Sequence, residues 1–552
     1  MNMFRQTAGK YVGIAVLALL VVVSFFLGVS SERLKTEKLK EAARQKEDRL
    51  PDLRYLHSTN AYAVRRESLL GEMQAHSFSS TVRLSALETN VDNFLSQVRS
   101  SETSNFVTRR KFPPSQLFFQ AKTNIENSRL FPIFRRMPKG GLLHIHESSS
   151  GRAEFVITNI ARRPDCFVGW NTNGSGPNRG QLKFTPAPPG NDGGLNGYFP
   201  FQVLEARLRG QGVDLASELH HHYMLDHTDP HDENIWNAFG AWWSLLPDLM
   251  SYRPVLRDYL RDAFRTLHED GISHVEIRVV TPVATMFDYT ARGLLNTNYT
   301  ERDTLQEYLD AKDFIRARFN TNFTIRLITT GLRGSATSDA PTVIRKTREY
   351  RDYFTNETDE TLIVGCDFVG DEDGGRPTVA EVPFLRSIAE RPDARIKFYF
   401  HDGESAWPGD ENLVDAMLLN TKRVGHGFNL FQYPLLEAMM RTNDIALEIC
   451  PISNQLLRLL HDLRIHPALG YMNRGVQCVL GSDDPSILGN SGLSYDFWEA
   501  YYAWGLDLDE LKQLAANSLR YSALGPDEKT AALARWNQQW DDWVQWVTTQ
   551  QP

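Results

Sequence analysis

Two histidines one residue apart, His144 and His146, end the apolar run GLLHIH. In an extended strand residues i and i+2 project to the same face, so both imidazoles can reach one metal ion. His401 ends a second such run, in HDGE, and Asp483 ends a third, in SDDP. Three imidazoles and a carboxylate from three strand ends make a candidate zinc site, one ion per chain. Imidazole suits zinc, and no sulfur ligand accompanies the set. The H-x-H pair is weak alone; its shared placement with His401 and Asp483 sets it apart from scattered, separately satisfied polar residues. A hydrolytic metal site must also activate water and manage protons. His426, in VGHGF, is the candidate to orient or deprotonate that water. Glu404, three residues after His401, is placed to be a general acid and not a ligand. Asp484 directly follows Asp483, so one carboxylate can take the metal while the other faces a substrate. Gly370 offers a backbone N–H with no side chain obstructing approach.

Positioning these residues requires many strands with a common end. Short apolar, β-branched runs occur at 141–146, 274–280, 324–330, 362–370, 396–401, 422–427, 445–450 and 476–484. Helical stretches such as YRPVLRDYLRDAFRTLHED and FLRSIAERP lie between later ones. Alternation of this kind is the mark of βα units and a parallel sheet. Eight of them predict an α/β fold, a (β/α)8 barrel over residues 136–545, with its site at the carboxyl ends of the strands. Residues 147–273 separate the first two runs, far more than one βα connection needs. Part of that length, residues 160–235, reads as an inserted subdomain near the mouth of the site. Its GSGPNRG stretch is a loop and a poor phosphate cradle, having an internal proline and no preceding strand. The tract His220-His221-His222, with His227 and His231, reads as a solvated loop before it reads as a metal site.

The chain has 552 residues, 41% of them hydrophobic and 23% charged, with a net charge of −8. It shows no basic stripe of the kind that marks nucleic-acid binding. Cys166, Cys366, Cys450 and Cys478 are too scattered for a disulfide scaffold or a cysteine metal site, and read as buried free thiols. Residues 11–29 form an uncharged apolar run after Arg5 and Lys10. That is longer than a usual signal-peptide core and just long enough to span a bilayer. Residues 1–31 are therefore expected to be a signal peptide or anchor that sends the chain into the secretory pathway. Sequons at Asn173, Asn298, Asn322 and Asn356 permit an extracellular location. Residues 32–135 are charged and helix-friendly, a helical N-terminal extension.

The ordered stretches MPKGGLLHIH, HDGE, RVGHGF, EICPISN and GSDDP closely resemble the motifs of the adenosine deaminases. MLLNTKRVGHGF, CPISNQLL, SDDPSILG and GLSYDFWEA are similar to the secreted growth-factor branch of that family. The resemblance covers roughly residues 110–545. It implies zinc on His144, His146, His401 and Asp483, with His426 helping to activate water. Glu404 would protonate purine N1 as water adds at C6, Asp484 would hydrogen-bond N7, and the Gly370 amide would meet N3. Adenosine or 2′-deoxyadenosine would become the inosine product with loss of ammonia. The branch also implies a homodimer built on the N-terminal helices, the insertion after the first strand, and a possible cell-surface receptor. The other zinc deaminase class, with H-x-E and P-C-x-x-C signatures, is not matched.

Two positions depart from the family pattern. Glu147 stands where an aspartate is common near the ribose, and Asp402 replaces the alanine of H-A-G-E. Both bear on substrate preference and leave the metal ligands intact. Trp236, in NIWNAF, matches an aromatic of the ribose pocket, with ordinary packing as the alternative. With only Cys166 in the insertion, no disulfide can form within it. Two competing functions remain: a deaminase for adenine or AMP, and a growth-factor-like binding protein without turnover. The absence of a cation cluster disfavours AMP, and the complete set of ligands and proton-transfer groups disfavours a pure binder.

Overall fold

The computed structural model describes residues 58–171, 178–186, 197–227, 235–335, 337–354, 361–389 and 396–550. Contacts divide the chain into two units, Met1–Gln74 and Ala75–Pro552. Most of the helix Thr59–His76 falls in the first, and the helix has no buried residue. Among the described residues no helix is long and apolar enough to cross a membrane. The apolar run 11–29, Asn173, Asn356, His231 and most of GSGPNRG lie outside them.

The second unit is organised by a closed ring of parallel strands. β1 (Gly140–His146) is followed by an insertion carrying β2 (Cys166–Gly169), β3 (Leu182–Phe184) and β4 (Tyr198–Pro200). These three form a small antiparallel sheet in the order β3-β2-β4. Then come β5 (Ile272–Val280), the short hairpin β6 (Asp288–Tyr289) and β7 (Leu295–Asn296), β8 (Thr324–Leu332) and β9 (Ile363–Val369). The rest are β10 (Lys397–Phe398), β11 (His401–Asp402), β12 (Arg423–His426), β13 (Ala446–Ile449) and β14 (Cys478–Leu480). Two parallel arcs result, β1-β5-β8-β9-β10 and β11-β12-β13-β14.

The fifth apolar run joins the arcs. Its start, β10, pairs with β9, and its end, β11, pairs with β12. Backbone bonds carry the ladder across the gap, Tyr399 N–H to Cys366 O at 3.1 Å and Gly425 N–H to Phe400 O at 2.7 Å. At the other seam Ile145 bridges Asp483 in parallel. Eight runs thus close into an α/β barrel with helices outside, as the sequence led us to expect.

The N-terminal extension, from residue 75 onward, is built onto the barrel's last helices. In Ala86–Thr108, Val91, Phe94, Leu95 and Val98 are buried at helical spacing, and Ser85 and Glu88 close a capping box at its start. Trp536, Trp540 and Trp543 stand one turn apart on Pro526–Thr548 and are buried. Their indole N–H groups donate to Pro138 O, Glu88 Oε1 and Ile133 O, so the apolar stripe is also satisfied as donors.

Inside the barrel, beneath the strand ends, lies a chain of buried ions. Arg278 donates to Asp367 at 2.8 Å and to Glu448 at 2.7 Å. Arg423 donates to Glu448 at 2.5 Å and to Glu276 at 2.7 Å. All four cysteines are free and buried.

Candidate active site

β1 sets the geometry. Residues 144 and 146 share a face, and the seam holds them to the chain after β14: His146 N–H donates to Asp483 O at 3.1 Å, and Asp483 N–H to His144 O at 3.2 Å. One strand pairing therefore places two imidazoles and a carboxylate together. His401 enters from β11, alongside β12 and His426. The backbone is strained where it must aim these groups: His426 and Asp483, neither a glycine, have φ of +60°. Gly481 leaves room for them, because a Cβ there would stand 2.7 Å from His144 Cβ and 2.8 Å from Cys450 Sγ.

The ligand atoms of His144, His146, His401 and Asp483 all lie within 4.8 Å of one another. Asp483 Oδ1 is 3.1 Å from His146 Nε2 and 3.4 Å from His144 Nε2, and the Nε2 atoms of His146 and His401 are 3.3 Å apart. Two of the rings are oriented from behind. His144 Nδ1–H meets Glu448 Oε2 at 2.8 Å, and His401 Nδ1–H meets Asp367 Oδ2 at 2.6 Å. Both therefore present an Nε2 lone pair inward, the arrangement of metal-bound histidines. Ser453 donates to Asp483 Oδ2 at 2.6 Å.

The residues fit a divalent cation. His144 Nε2 is buried without a hydrogen-bond partner. Asp483, Asp367 and Glu448 are held below the usual carboxylate range, and Glu276 at about 2; burial works against this, and neighbouring histidines or arginines outweigh it. Four carboxylates against Arg278 and Arg423 leave an excess of two negative charges that such an ion offsets. A second combination, with His426 and Cys450, shares His144 and Asp483. There burial pushes the Cys450 thiol well above its ordinary value, which makes it the poorer ligand.

Glu404 and His426 face the same space. Glu404 Oε1 is 3.5 Å from His426 Nε2, and both atoms are buried without a hydrogen-bond partner. Burial, then the charges of Asp483, Glu372 and Asp484, push Glu404 well above the carboxylate range. Burial likewise pushes Asp484 up to about 7 and His426 well below the imidazole range. A hydrogen-bond relay fixes the His426 tautomer. Ala468 N–H donates to His466 Nδ1, so His466 carries its proton on Nε2 and gives it to Asn454 Oδ1; each contact is 3.1 Å. The Asn454 amide is thereby oriented to donate to His426 Nδ1, also at 3.1 Å. His426 is left neutral with its Nε2–H facing the site.

A cavity of about 360 Å³ opens above these groups. Its lining includes Glu147, Trp236, Gly370, Glu404, His426, Asp483 and Asp484, so the residues singled out in the sequence meet at one place. Glu147 is pushed up to about 7 by burial, and its oxygens accept from Val280 N–H at 3.0 Å and Tyr308 OH at 2.6 Å. Gly370 has φ of +106° with open space where a Cβ would stand; the backbone conformation is what calls for glycine.

Asp402 does not line the cavity. It is fully buried and accepts from Arg333 at 2.5 Å and from Thr378 at 2.7 Å. Arg333 also donates to His401 O, while Glu372 accepts from Gly403 N–H and from Asn412. The loop carrying Glu404 is thus pinned on both sides by buried hydrogen bonds. His220 is 3.7 Å from both Glu154 and Asp226, and among the described residues the histidine tract joins no metal-holding group.

Sequence reasoning passed over Asp367, Glu448, Arg278, Asn454 and Glu372. A signal existed for three of them. Asp367 and Glu448 are lone charges in otherwise apolar strand runs, and Arg278 shares β5 with His274 and Glu276; charges in buried strands are costly unless paired.

Comparison with known proteins adds an independent line. Residues 211–538 match the adenosine deaminase domain, and residues 22–134 the adenosine/AMP deaminase N-terminal domain. The chain is 32% identical over 496 residues to adenosine deaminase 2-A of Danio rerio, covering 87% of this chain and 93% of that one. It is 32% identical over 451 residues to adenosine deaminase 2 of Homo sapiens, covering 79% and 84%. Among solved structures, a Burkholderia ambifaria amidohydrolase with bound zinc superposes with a TM-score of 0.52 at 17% identity, covering 76% of this chain and 94% of that one. Arabidopsis ADAL complexed with IMP gives 0.51 at 15% identity, covering 74% and 98%.

Proposed function

This chain belongs to the adenosine deaminase family, in its adenosine deaminase 2 branch, and from that premise we propose that it hydrolyses the 6-amino group of adenosine and 2′-deoxyadenosine with zinc as its metal. The observation that carries the reading is one cavity lined by three of the four convergent groups, His146, His401 and Asp483, with His144 within 4.8 Å of them, and by a carboxyl, Glu404, whose surroundings keep it protonated. His144, His146, His401 and Asp483 would hold the zinc, which supplies Lewis acidity and a water of lowered pKa when bound.

This chain's residues do the rest. The protonated Glu404 donates to purine N1, which makes C6 electrophilic. His426 is a donor at Nε2, so it orients the attacking water by hydrogen bonding; the relay through Asn454 favours that role over the alternative of a base. Purine N7 is an acceptor, and Asp484, with its raised pKa, can donate to it. The Gly370 amide meets N3, and Glu147 with Trp236 flanks the ribose. Water adds at C6, the C6–N bond breaks, and ammonia leaves.

Chelation should abolish activity and zinc should restore it. His401→Ala should lose both metal and turnover, read by elemental analysis and by the ultraviolet change as adenosine becomes inosine. Adenosine or 2′-deoxyadenosine should lead, with AMP far behind and free adenine negligible, since a site built around ribose leaves buried polar groups unpaired without it. Full zinc content in His401→Ala, or faster turnover of AMP or adenine, would overturn these assignments. We further read the chain as entering the secretory pathway through residues 11–29 and as a homodimer.

A further inference from the structure

The cavity changes character from floor to mouth. Its floor is the polar group of His146, His401, Glu404, His426, Asp483 and Asp484. Towards the mouth the lining is apolar. Trp236, Phe239 and Trp243 lie on one face of the helix Ile235–Trp243, at positions i, i+3 and i+7, packed edge to face with ring centroids 5.3 Å and 5.9 Å apart. They are joined by Val280, Leu332 and Val369, each at the carboxyl end of a barrel strand, β5, β8 and β9. Those are positions where a barrel enzyme commonly carries polar ligand-binding groups. Trp243, Val280 and Leu332 are 37%, 38% and 44% exposed, an apolar surface left open to water beside the site. The one cation among the described lining residues is Arg278, which is fully buried and already paired with Asp367 and Glu448.

We propose that this outer wall receives an apolar group at the 5′ position of the nucleoside, so that 5′-alkylthio-5′-deoxyadenosines are substrates alongside adenosine. The inference rests on the proposed function, which puts purine C6 at the metal ligands. The glycosidic nitrogen lies across the ring system from C6, so the sugar projects away from the floor and its 5′ carbon towards the mouth. Glu147 and Ser148 are the polar lining residues between floor and wall and serve the ring hydroxyls of the sugar. A 5′-hydroxyl gains nothing from the wall, whereas each added methylene-sized group buried against it favours binding by about fourfold. Among the described lining residues a 5′-phosphate meets no unpaired cation. The chemistry is unchanged: water adds at C6, the C6–N bond breaks, ammonia departs, and the thioether is untouched.

The test compares kcat/KM of the full-length, zinc-loaded protein for adenosine, 5′-deoxy-5′-methylthioadenosine and AMP. The methylthio nucleoside should lie within about tenfold of adenosine or above it, and AMP at least about a hundredfold below. Leu332→Lys, at an exposed position that tolerates a charge, should lower the methylthio-to-adenosine ratio about tenfold and raise AMP turnover. Trp243→Ala should lower the same ratio mainly through KM. A methylthio value more than about tenfold below adenosine, or a ratio that neither variant moves, overturns the inference and leaves the deaminase reading standing. No turnover of adenosine itself defeats the proposed function instead.

Discussion

A carboxyl acts as an acid near neutral pH only when its surroundings hold its proton, and Glu404 meets that condition through burial and three neighbouring carboxylates. Glu404→Gln keeps the shape and removes the proton donor. It should retain fold and zinc while turnover falls by about 10²–10⁴. Loss of zinc in that variant would make Glu404 a ligand and reverse the assignment. Asn454 tests the other half of the machinery. Asn454→Asp replaces the amide that donates to His426 Nδ1 with an acceptor, which draws the ring proton to Nδ1 and leaves a lone pair on Nε2. We expect kcat to fall by about 10²–10⁴ with KM little changed, the size of loss a wrong tautomer produces elsewhere. Asn454→Leu, which only removes the donor, should lose less; equal losses would show that Asn454 serves packing alone. The convergence of His144, His146, His401 and Asp483 was legible in the sequence because a strand end announces itself by pattern, and each of the four stands at or just beyond the end of an apolar run. Asn454 and His466 were not, because the relay between them depends on how a turn folds back, which no spacing encodes.

At the scale of elements, the ion chain inside the barrel supports both the strands and the candidate metal-holding imidazoles, since Glu448 and Asp367 bond His144 and His401 as well as arginines. Burial raises the pKa of Glu276, but Arg423 and then His274 bring it down to about 2, below its ordinary value. A depressed folded pKa contributes stability that is present above the ordinary value and is lost as pH falls through the folded one. The protein should therefore lose stability steadily from about pH 4.5 towards about pH 2. Urea midpoints across that range should fall for the wild type and change less steeply for Glu276→Gln. At neutral pH that variant should be less stable by about 3–5 kcal/mol, because Arg423 keeps its charge with one partner fewer. Identical slopes for the two proteins would remove Glu276 from the account. The strands themselves were readable from apolar runs. The division of the fifth run into β10 and β11 was not, because it reflects which neighbour each half pairs with and leaves the run's composition unchanged.

At the scale of the whole molecule, the secretory reading makes a claim about one surface residue. Asn298 is exposed, lies just after the β6–β7 hairpin, and begins the sequon Asn298-Tyr299-Thr300. Thr300 has a second duty there: it caps the helix Glu301–Phe319, accepting from Asp303 N–H while the Asp303 carboxylate accepts from Thr300 N–H. The two roles can be separated. Asn298→Gln removes the glycan acceptor and leaves the cap, so the secreted protein should lose mass corresponding to one glycan with stability almost unchanged. Thr300→Ala removes both, and should show the same mass loss with a penalty of about 1 kcal/mol from the lost cap. Thr300→Ser keeps both the sequon and a capping hydroxyl, and should match the wild type in mass and midpoint. The measurement is intact mass before and after glycosidase treatment, with thermal unfolding of the same samples. A chain made in its native host that stays in the cytosol without glycan at Asn298 would defeat the secretory reading, while the cap's effect on stability would survive as a separate result.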